Sequence, residues 1–120
     1  MLTADGSVTA AGLRDQVAEF LASHDPATMA AREFLRARFA AGLAWVHYPA
    51  GLGGQGLPRS LQSVVDERFA AAGGPSNRPE ANTIGLGMAA PTILAFGTAE
   101  QKGRWLAPLW TGEEIWCQLF

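Results

Sequence analysis

The chain has 120 residues, of which 48% are hydrophobic, and it carries a net charge of −2 and one cysteine. This length is that of a single domain, and the hydrophobic share excludes a disordered chain. Charges of both signs are interspersed, which argues against nucleic acid or an anionic membrane as partner. No apolar run approaches the ~20 residues of a membrane helix, and a lone cysteine cannot form an internal disulfide. Since the N-terminus also lacks a signal-peptide pattern, a cytoplasmic protein is expected.

Helical periodicity dominates the sequence. Apolar residues recur at steps of three and four, as on one face of a helix, and proline or glycine marks the ends of each run. In the second helix, Ala31, Leu35 and Phe39 are predicted to share a face. Because Pro91 interrupts the run TIGLGMAAPTILAFG, this run is predicted to form two short buried helices. The predicted helices span residues 9–23, 25–42, 58–72, the two halves of 83–97, and 99–107.

The last helix and the C-terminus carry specific local signals. Thr98 and Gln101 form a predicted capping box, and Pro108 is expected to end the helix near Ala107. The final stretch TGEEIWCQLF alternates apolar side chains with the period of a β-strand. The expected fold is therefore all-α, a compact bundle of about five or six helices with the start of a β-strand at the C-terminus.

The glycine motif Gly51-x-Gly53-x-x-Gly56 matches the dinucleotide-binding fingerprint letter for letter. That fingerprint works between a strand and a helix, where backbone N–H groups face pyrophosphate. Here Pro49 precedes the motif and Pro58 follows it, and the surrounding elements are helices. We therefore interpret the motif as a tight surface turn.

Other chemistry-bearing residues form no recognisable active site. His24 and His47 have no second His or Cys at ligand spacing, so no metal site is predicted. Cys117 is interpreted as a small hydrophobic residue of the terminal strand. Adjacent carboxylates at Glu113 and Glu114 are interpreted as solvated. No catalytic residue is predicted within the chain.

The segment IGLGMAAP is the first of two candidate binding features. Gly85 and Gly87 each cost a helix about 1 kcal/mol relative to alanine. Such a cost is typical of places where another helix or a ligand comes close, and both explanations remain open. The terminal strand is the second feature, because it needs partners that this sequence does not supply.

Three stretches and their order along the chain indicate a family: AWVHYPAGLGGQGLP, NTIGLGMAAPTILAFG and TAEQKGRWLAPLWTGEEIWCQLF. Together they resemble the N-terminal part of the acyl-CoA dehydrogenase family, particularly its actinobacterial-type members. The likeness covers residues 13–120, and its most specific piece is the run from Gly97 to Gly112. It implies an N-terminal helical domain over residues 1–112 and, over 113–120, the first strand of a middle β-barrel domain that continues beyond Phe120.

The resemblance also implies functional residues. Family members hold FAD between their middle and C-terminal domains, and a glutamate beyond the end of this chain removes the α-proton of an acyl-CoA. Cofactor contacts are expected at Gln118, Leu119 and Phe120, although Gln118 departs from the aromatic residue common there. Substrate contacts are expected at Ile84, Gly85 and Met88, where small residues leave space for a long or bulky acyl group. On this basis Gly85→Leu is expected to shift preference toward shorter acyl chains.

Three functional hypotheses follow. The first is the helical domain of an FAD-dependent acyl-CoA dehydrogenase of lipid or sterol side-chain catabolism, inactive alone. The second is a non-catalytic helical module or split subunit that completes a partner chain. The third is a relative with acyl-CoA oxidase or nitroalkane-oxidase-like chemistry. In each case the partner is the remaining dehydrogenase domains or another subunit in a homo- or hetero-oligomer. The chain by itself is expected to self-associate through exposed apolar surface.

Overall fold

The computed structural model describes residues 8–77 and 79–117, and this part of the chain is all-α, as predicted. The chain divides into two units after Pro75. In the described residues no helix is long and apolar enough to cross a membrane. The α-helices are α1 (Ala10–Ser23), α2 (Ala31–Ala40), α3 (Gln62–Ala71), α4 (Ala90–Phe96) and α5 (Ala99–Thr111), with 3₁₀ turns at Arg59–Leu61 and Pro79–Ala81.

The first unit is built around α1 and α3, which pack against each other. Phe20, Phe34 and Phe69 meet edge to face, with ring centroids 5.4, 5.6 and 5.9 Å apart. This arrangement brings the positive edge of one ring to the negative face of the next. Buried aliphatic side chains complete the core: Leu13, Val17, Leu43, Val46, Leu57 and Val65.

The second helix begins later than predicted. The Asp25 carboxylate accepts the Ala27 N–H at 2.9 Å, which closes a turn instead of capping a helix, and α2 starts at Ala31. The residues spaced four apart on this helix are not equally buried. Leu35 is buried, but Ala31 is exposed because the helix turns Phe34 into the core.

Arg38 is a charged side chain on the inward face of α2. Its Nε donates to the Leu43 carbonyl at 2.8 Å, a terminal nitrogen pairs with Asp66 at 2.9 Å, and the guanidinium lies 4.1 Å from the centroid of the Phe69 ring. Burial lowers the pKa of Arg38, and the Asp66 carboxylate opposes this shift. Arginine keeps its charge in such sites, so the hydrogen bonds offset its desolvation.

The glycine-rich segment after α2 runs as turns, as predicted. Gly42 follows the helix with φ +76°, a conformation that favours glycine. Gln62 then ties the segment to α3: its side chain accepts from the Val46 N–H at 2.7 Å and donates to the Ala44 carbonyl at 2.8 Å. One amide side chain thus satisfies two buried backbone groups that no helix or sheet serves.

The second unit contains one continuous helical stretch over residues 83–96, so the predicted break at Pro91 was wrong. A π-helical turn at Gly85–Ala89 leads directly into α4, and the Ala90 N–H bonds the Gly85 carbonyl five residues back. Pro91 is the second residue of α4 and follows the π-helical turn directly. The stretch is also not buried all round, because Met88 is 51% exposed.

The capping box at the start of α5 is confirmed. The Gln101 N–H donates to the Thr98 hydroxyl at 3.1 Å, and the Thr98 N–H donates to the Gln101 side chain at 2.9 Å. Each side chain satisfies a backbone donor that the first turn leaves unpaired.

The end of α5 differs from the prediction. The helix passes Ala107 and continues through Pro108 to Thr111. Leu109 and Trp110 are buried by this extra turn. Burial of such side chains contributes about 1.5–3 kcal/mol each, which offsets the cost of about 3 kcal/mol for a proline inside a helix.

Residues 113–117 follow α5 without regular secondary structure. Within the described residues they form no strand pairing. Residues 118–120 lie outside the described part. The strand over 113–120, and the domain boundary after 112, therefore stay predictions.

Candidate functional site

An open groove of about 260 Å³ lies along the helical stretch of the second unit. The π-helical turn is wider than an α-helical turn, so residues four and five apart come onto one face. That face forms the first wall of the groove, and the segment after α5 forms the second. The lining residues are Ile84, Met88, Ala89, Thr92 and Ile93 on the first wall, and Trp116 and Cys117 on the second.

The surface of this groove is apolar. The Thr92 hydroxyl is already paired, since it donates to the Met88 carbonyl at 2.8 Å. Cys117, interpreted from sequence as a hydrophobic strand residue, is exposed at the groove. Two further large apolar side chains in the same unit are exposed, Ile115 by 55% and Phe96 by 86%. Exposed apolar surface marks binding or interaction sites where it forms a large patch.

Gly85 lies beneath the groove and does not line it. A Cβ at this position would collide with the Asn82 side chain and come within 2.9 Å of Leu109 Cδ2. At Gly87 a Cβ would meet open space. Close packing therefore explains why glycine stands at position 85, and substrate contact by Gly85 stays a prediction.

Asn82, which is 1% exposed, is hydrogen-bonded to α5 and to the second wall. Its Nδ2 donates to the carbonyls of Leu109 at 3.0 Å and Glu114 at 3.1 Å, and its Oδ1 accepts the Trp116 N–H at 3.1 Å. The Trp116 ring then meets Trp105 edge to face with centroids 5.9 Å apart. Sequence reasoning missed Asn82, because an asparagine before a helix has the pattern of an ordinary N-cap.

The structure brings two of the three predicted substrate residues together. Ile84 and Met88 both line the groove, one helical turn apart. Their contact with a substrate stays a prediction. The three predicted flavin-contacting residues, Gln118, Leu119 and Phe120, lie outside the described residues.

The two adjacent carboxylates serve local contacts. Glu114 accepts a hydrogen bond from Trp116 Nε1 at 3.2 Å and pairs with Arg104 at 3.4 Å. Glu113 accepts from the Thr111 hydroxyl at 3.1 Å. Both side chains therefore help to shape the turn after α5.

The glycine motif in the first unit has a structural explanation. Gly51, Gly53 and Gly56 all have positive φ, at +85°, +91° and +66°. The Gly53 carbonyl accepts from the N–H groups of Ala44 and Trp45 at 3.0 and 3.1 Å. A Cβ on Gly53 would also lie 2.6 Å from Trp45 Nε1. These positions need glycine for turn geometry and for close packing on an indole.

Neither histidine belongs to a metal-ligand cluster, since no group of three or more His, Cys, Asp or Glu in the described residues could hold a metal ion. His24 stacks on Phe20 with centroids 4.1 Å apart. The Nδ1 atom of His47 is buried without a hydrogen-bond partner. Burial, and to a lesser degree the charge of Arg59, lower the pKa of His47, which favours its neutral form.

Comparison with known proteins identifies a family and several relatives. The acyl-CoA dehydrogenase N-terminal domain matches residues 8–113. Acyl-CoA dehydrogenase FadE34 of Mycobacterium tuberculosis is 38% identical over 110 residues, which cover 92% of this chain and 14% of that protein. Acyl-CoA dehydrogenase IpdE1 is 35% identical in Mycobacterium tuberculosis and 34% in Mycolicibacterium smegmatis, over 79 residues in each case, or 66% of this chain.

The chain spans only part of these relatives. It aligns with 20% of the first IpdE1 protein, 19% of the second and 14% of FadE34. No solved structure matches the chain significantly.

Proposed function

Because the chain belongs to the acyl-CoA dehydrogenase family and matches its N-terminal domain, we propose that it supplies one wall of the acyl pocket in an FAD-dependent dehydrogenase. The reaction would introduce an α,β double bond into an acyl-CoA thioester during the breakdown of lipids or sterol side chains. The observation that supports this role is the apolar groove on which Ile84 and Met88 meet.

The size and openness of the groove favour a shared site. Its volume of about 260 Å³ falls below the range of about 300–1,000 Å³ typical of pockets for drug-sized ligands. It can therefore take only part of an acyl-CoA, and another polypeptide region must close it. We propose that the remaining dehydrogenase domains or a partner subunit close the site and supply the catalytic base, so that the chain alone is inactive.

FAD, when bound to such an enzyme, supplies the acceptor for the hydride that leaves the β-carbon. The described residues next to the predicted flavin contacts are Trp116 and Cys117, which present an indole and a thiol at the groove. The backbone N–H of Trp116 already donates to Asn82, and its indole N–H donates to Glu114. These residues fit the apolar edge of a flavin ring, and the phosphates of FAD would be held by the other domains.

Met88→Trp in the flavin-loaded dehydrogenase that contains this chain tests the role of the groove. A larger side chain at a half-exposed wall position fills space that a long acyl chain needs. We expect the ratio of kcat/KM for long over short acyl-CoA substrates to fall by about tenfold or more, the scale on which apolar pockets discriminate chain length.

Phe96→Trp is the matched control, because Phe96 is exposed and does not line the groove. Its chain-length profile should equal that of the wild type. An unchanged profile in Met88→Trp, or the same change in both variants, would show that the groove does not select the acyl chain.

A further inference from the structure

We propose that Asn82 is a positioning residue that sets the shape of the groove, by holding the segment of residues 113–117 against the end of α5. The proposal rests on the proposed function only for what the groove binds. The positioning itself is argued from the contacts of this one side chain.

Both the NH₂ group and the oxygen of the Asn82 carboxamide form hydrogen bonds. Its NH₂ group donates to two carbonyls, those of Leu109 and Glu114, and its oxygen accepts from the Trp116 N–H. A flipped amide would set oxygen against two carbonyl oxygens, so only one orientation satisfies all three partners. Because Asn82 is 1% exposed, its removal leaves three backbone groups without their buried partner.

The segment depends on Asn82 beyond Glu114. Gly112, with φ +82°, turns the chain at the end of α5, and the Glu114 N–H donates to the Pro108 carbonyl at 3.0 Å. Among the described residues, the next main-chain hydrogen bond of the segment is the one from the Trp116 N–H to Asn82. Asn82 therefore holds the main chain of Trp116, while the indole of this residue contacts Trp105 and Glu114.

Gly85 completes the arrangement. The Asn82 side chain occupies the space where a Cβ of residue 85 would stand. The helix that forms the first wall must therefore lack a side chain at this position for Asn82 to reach the segment. Through Asn82, the two walls of the groove are joined by one buried side chain.

The Trp105–Trp116 pair gives this proposal a spectroscopic test in the 120-residue chain. Two indoles with centroids 5.9 Å apart should give an exciton couplet in circular dichroism, and Trp116→Phe identifies it by removing it. We expect Asn82→Ala to lose the same couplet while its helical signal remains. Gln101→Ala is the matched control, because it removes a cap of α5 outside the segment and should retain the couplet.

Asn82→Asp is a second variant that keeps the test valid if Asn82→Ala fails to fold. It keeps the shape and the acceptor but loses both donors at neutral pH, so the couplet should be absent and should return in part when acidification protonates the carboxylate. A couplet that persists at neutral pH in both Asn82 variants would overturn the positioning role.

The second readout is kinetic and uses the flavin-loaded dehydrogenase that contains this chain. We expect Asn82→Asp to raise KM for a long-chain acyl-CoA about tenfold, equivalent to about 1.4 kcal/mol, with kcat within about twofold of the wild type. Gln101→Ala should change neither. Unchanged KM despite a lost couplet would overturn the link between Asn82 and the groove. An unshifted profile in Met88→Trp together with a lost couplet in Asn82→Ala would instead reject the acyl site and leave the positioning intact.

Discussion

The two units of the chain differ in how many large apolar side chains they leave exposed. In the first unit Phe34 is 0% exposed and meets two other phenylalanine rings, whereas in the second unit Phe96 is 86% exposed. The exposed large hydrophobic residues of the described chain, Met88, Phe96 and Ile115, all belong to the second unit. The first unit thus closes its own core, while the second carries apolar surface that another molecule or domain can cover.

In both units, nevertheless, the side-chain amide of one residue hydrogen-bonds to the backbone of an irregular segment. In the first, Gln62 serves the backbone of the segment after α2, and in the second Asn82 serves the backbone after α5. An amide side chain can donate and accept hydrogen bonds at the same time. It can therefore satisfy both an N–H group and a carbonyl of a segment that lies outside helices and sheets. The units therefore differ in what they expose and not in how their turns are fixed.

The largest expected effect is the difference in stability between two variants, one truncated at Phe34 and the other at Phe96. Phe34→Ala should lower the free energy of unfolding by about 3–5 kcal/mol, because it opens a cavity in a closed core. Phe96→Ala should change it by no more than about 0.5 kcal/mol, since an exposed side chain loses little on truncation. Urea unfolding of the two variants, followed by circular dichroism, measures the difference.

The same pair tests the self-association expected from sequence. Phe96→Ala should shift the chain toward monomer in sedimentation velocity, because it removes exposed apolar surface. Similar losses of stability in the two variants would contradict the claim that only the first unit buries its phenylalanine in a closed core. Unchanged association in Phe96→Ala would contradict the role of the exposed apolar surface in self-association.

A smaller effect is expected at the two glycines beneath and beside the groove. Gly85→Ala should destabilise the chain by about 1–3 kcal/mol, because its Cβ would overlap the Asn82 side chain. Gly87→Ala should instead stabilise it by up to about 1 kcal/mol, since its Cβ meets open space and alanine favours a helix. Thermal unfolding of both variants gives the sign of each change. Equal signs would contradict the packing described for Gly85.

This packing also changes how the proposed acyl site should be tested. Gly85→Leu, the substitution suggested by the sequence, would disrupt Asn82 and the segment it holds. Any shift in chain-length preference would then mix structural damage with pocket volume. Met88 lies on the groove surface and is the cleaner position.

Local signals in the sequence predicted much of the fold. The first helix predicted over 9–23, the Thr98–Gln101 capping box and the end of the second helix at a glycine depend on residues close along the chain, and all three are confirmed. Pro91 and Pro108 misled the prediction for a common reason. The cost of a proline is local, but whether a helix tolerates it depends on a π-helical turn in one case and on tertiary burial in the other.

The candidate site was only partly accessible from sequence. Ile84 and Met88 were predicted from the family resemblance, and their four-residue spacing is consistent with the shared groove face. The roles of Arg38 and Asn82 rest on partners far along the chain, such as Asp66 and Leu109, which no periodicity reveals. Sequence analysis could suggest the first wall, but the second wall required the structure.

The most direct test of the acyl-pocket role is photolabelling with an acyl-CoA that carries a diazirine at the end of its acyl chain. The flavin-loaded dehydrogenase that contains this chain would be irradiated with the probe, digested and mapped by mass spectrometry. The groove predicts label on residues 84–93 and on Trp116 or Cys117, reduced by competition with unlabelled acyl-CoA. Competable label found only outside these residues would contradict the assignment of the groove as a wall of the acyl pocket.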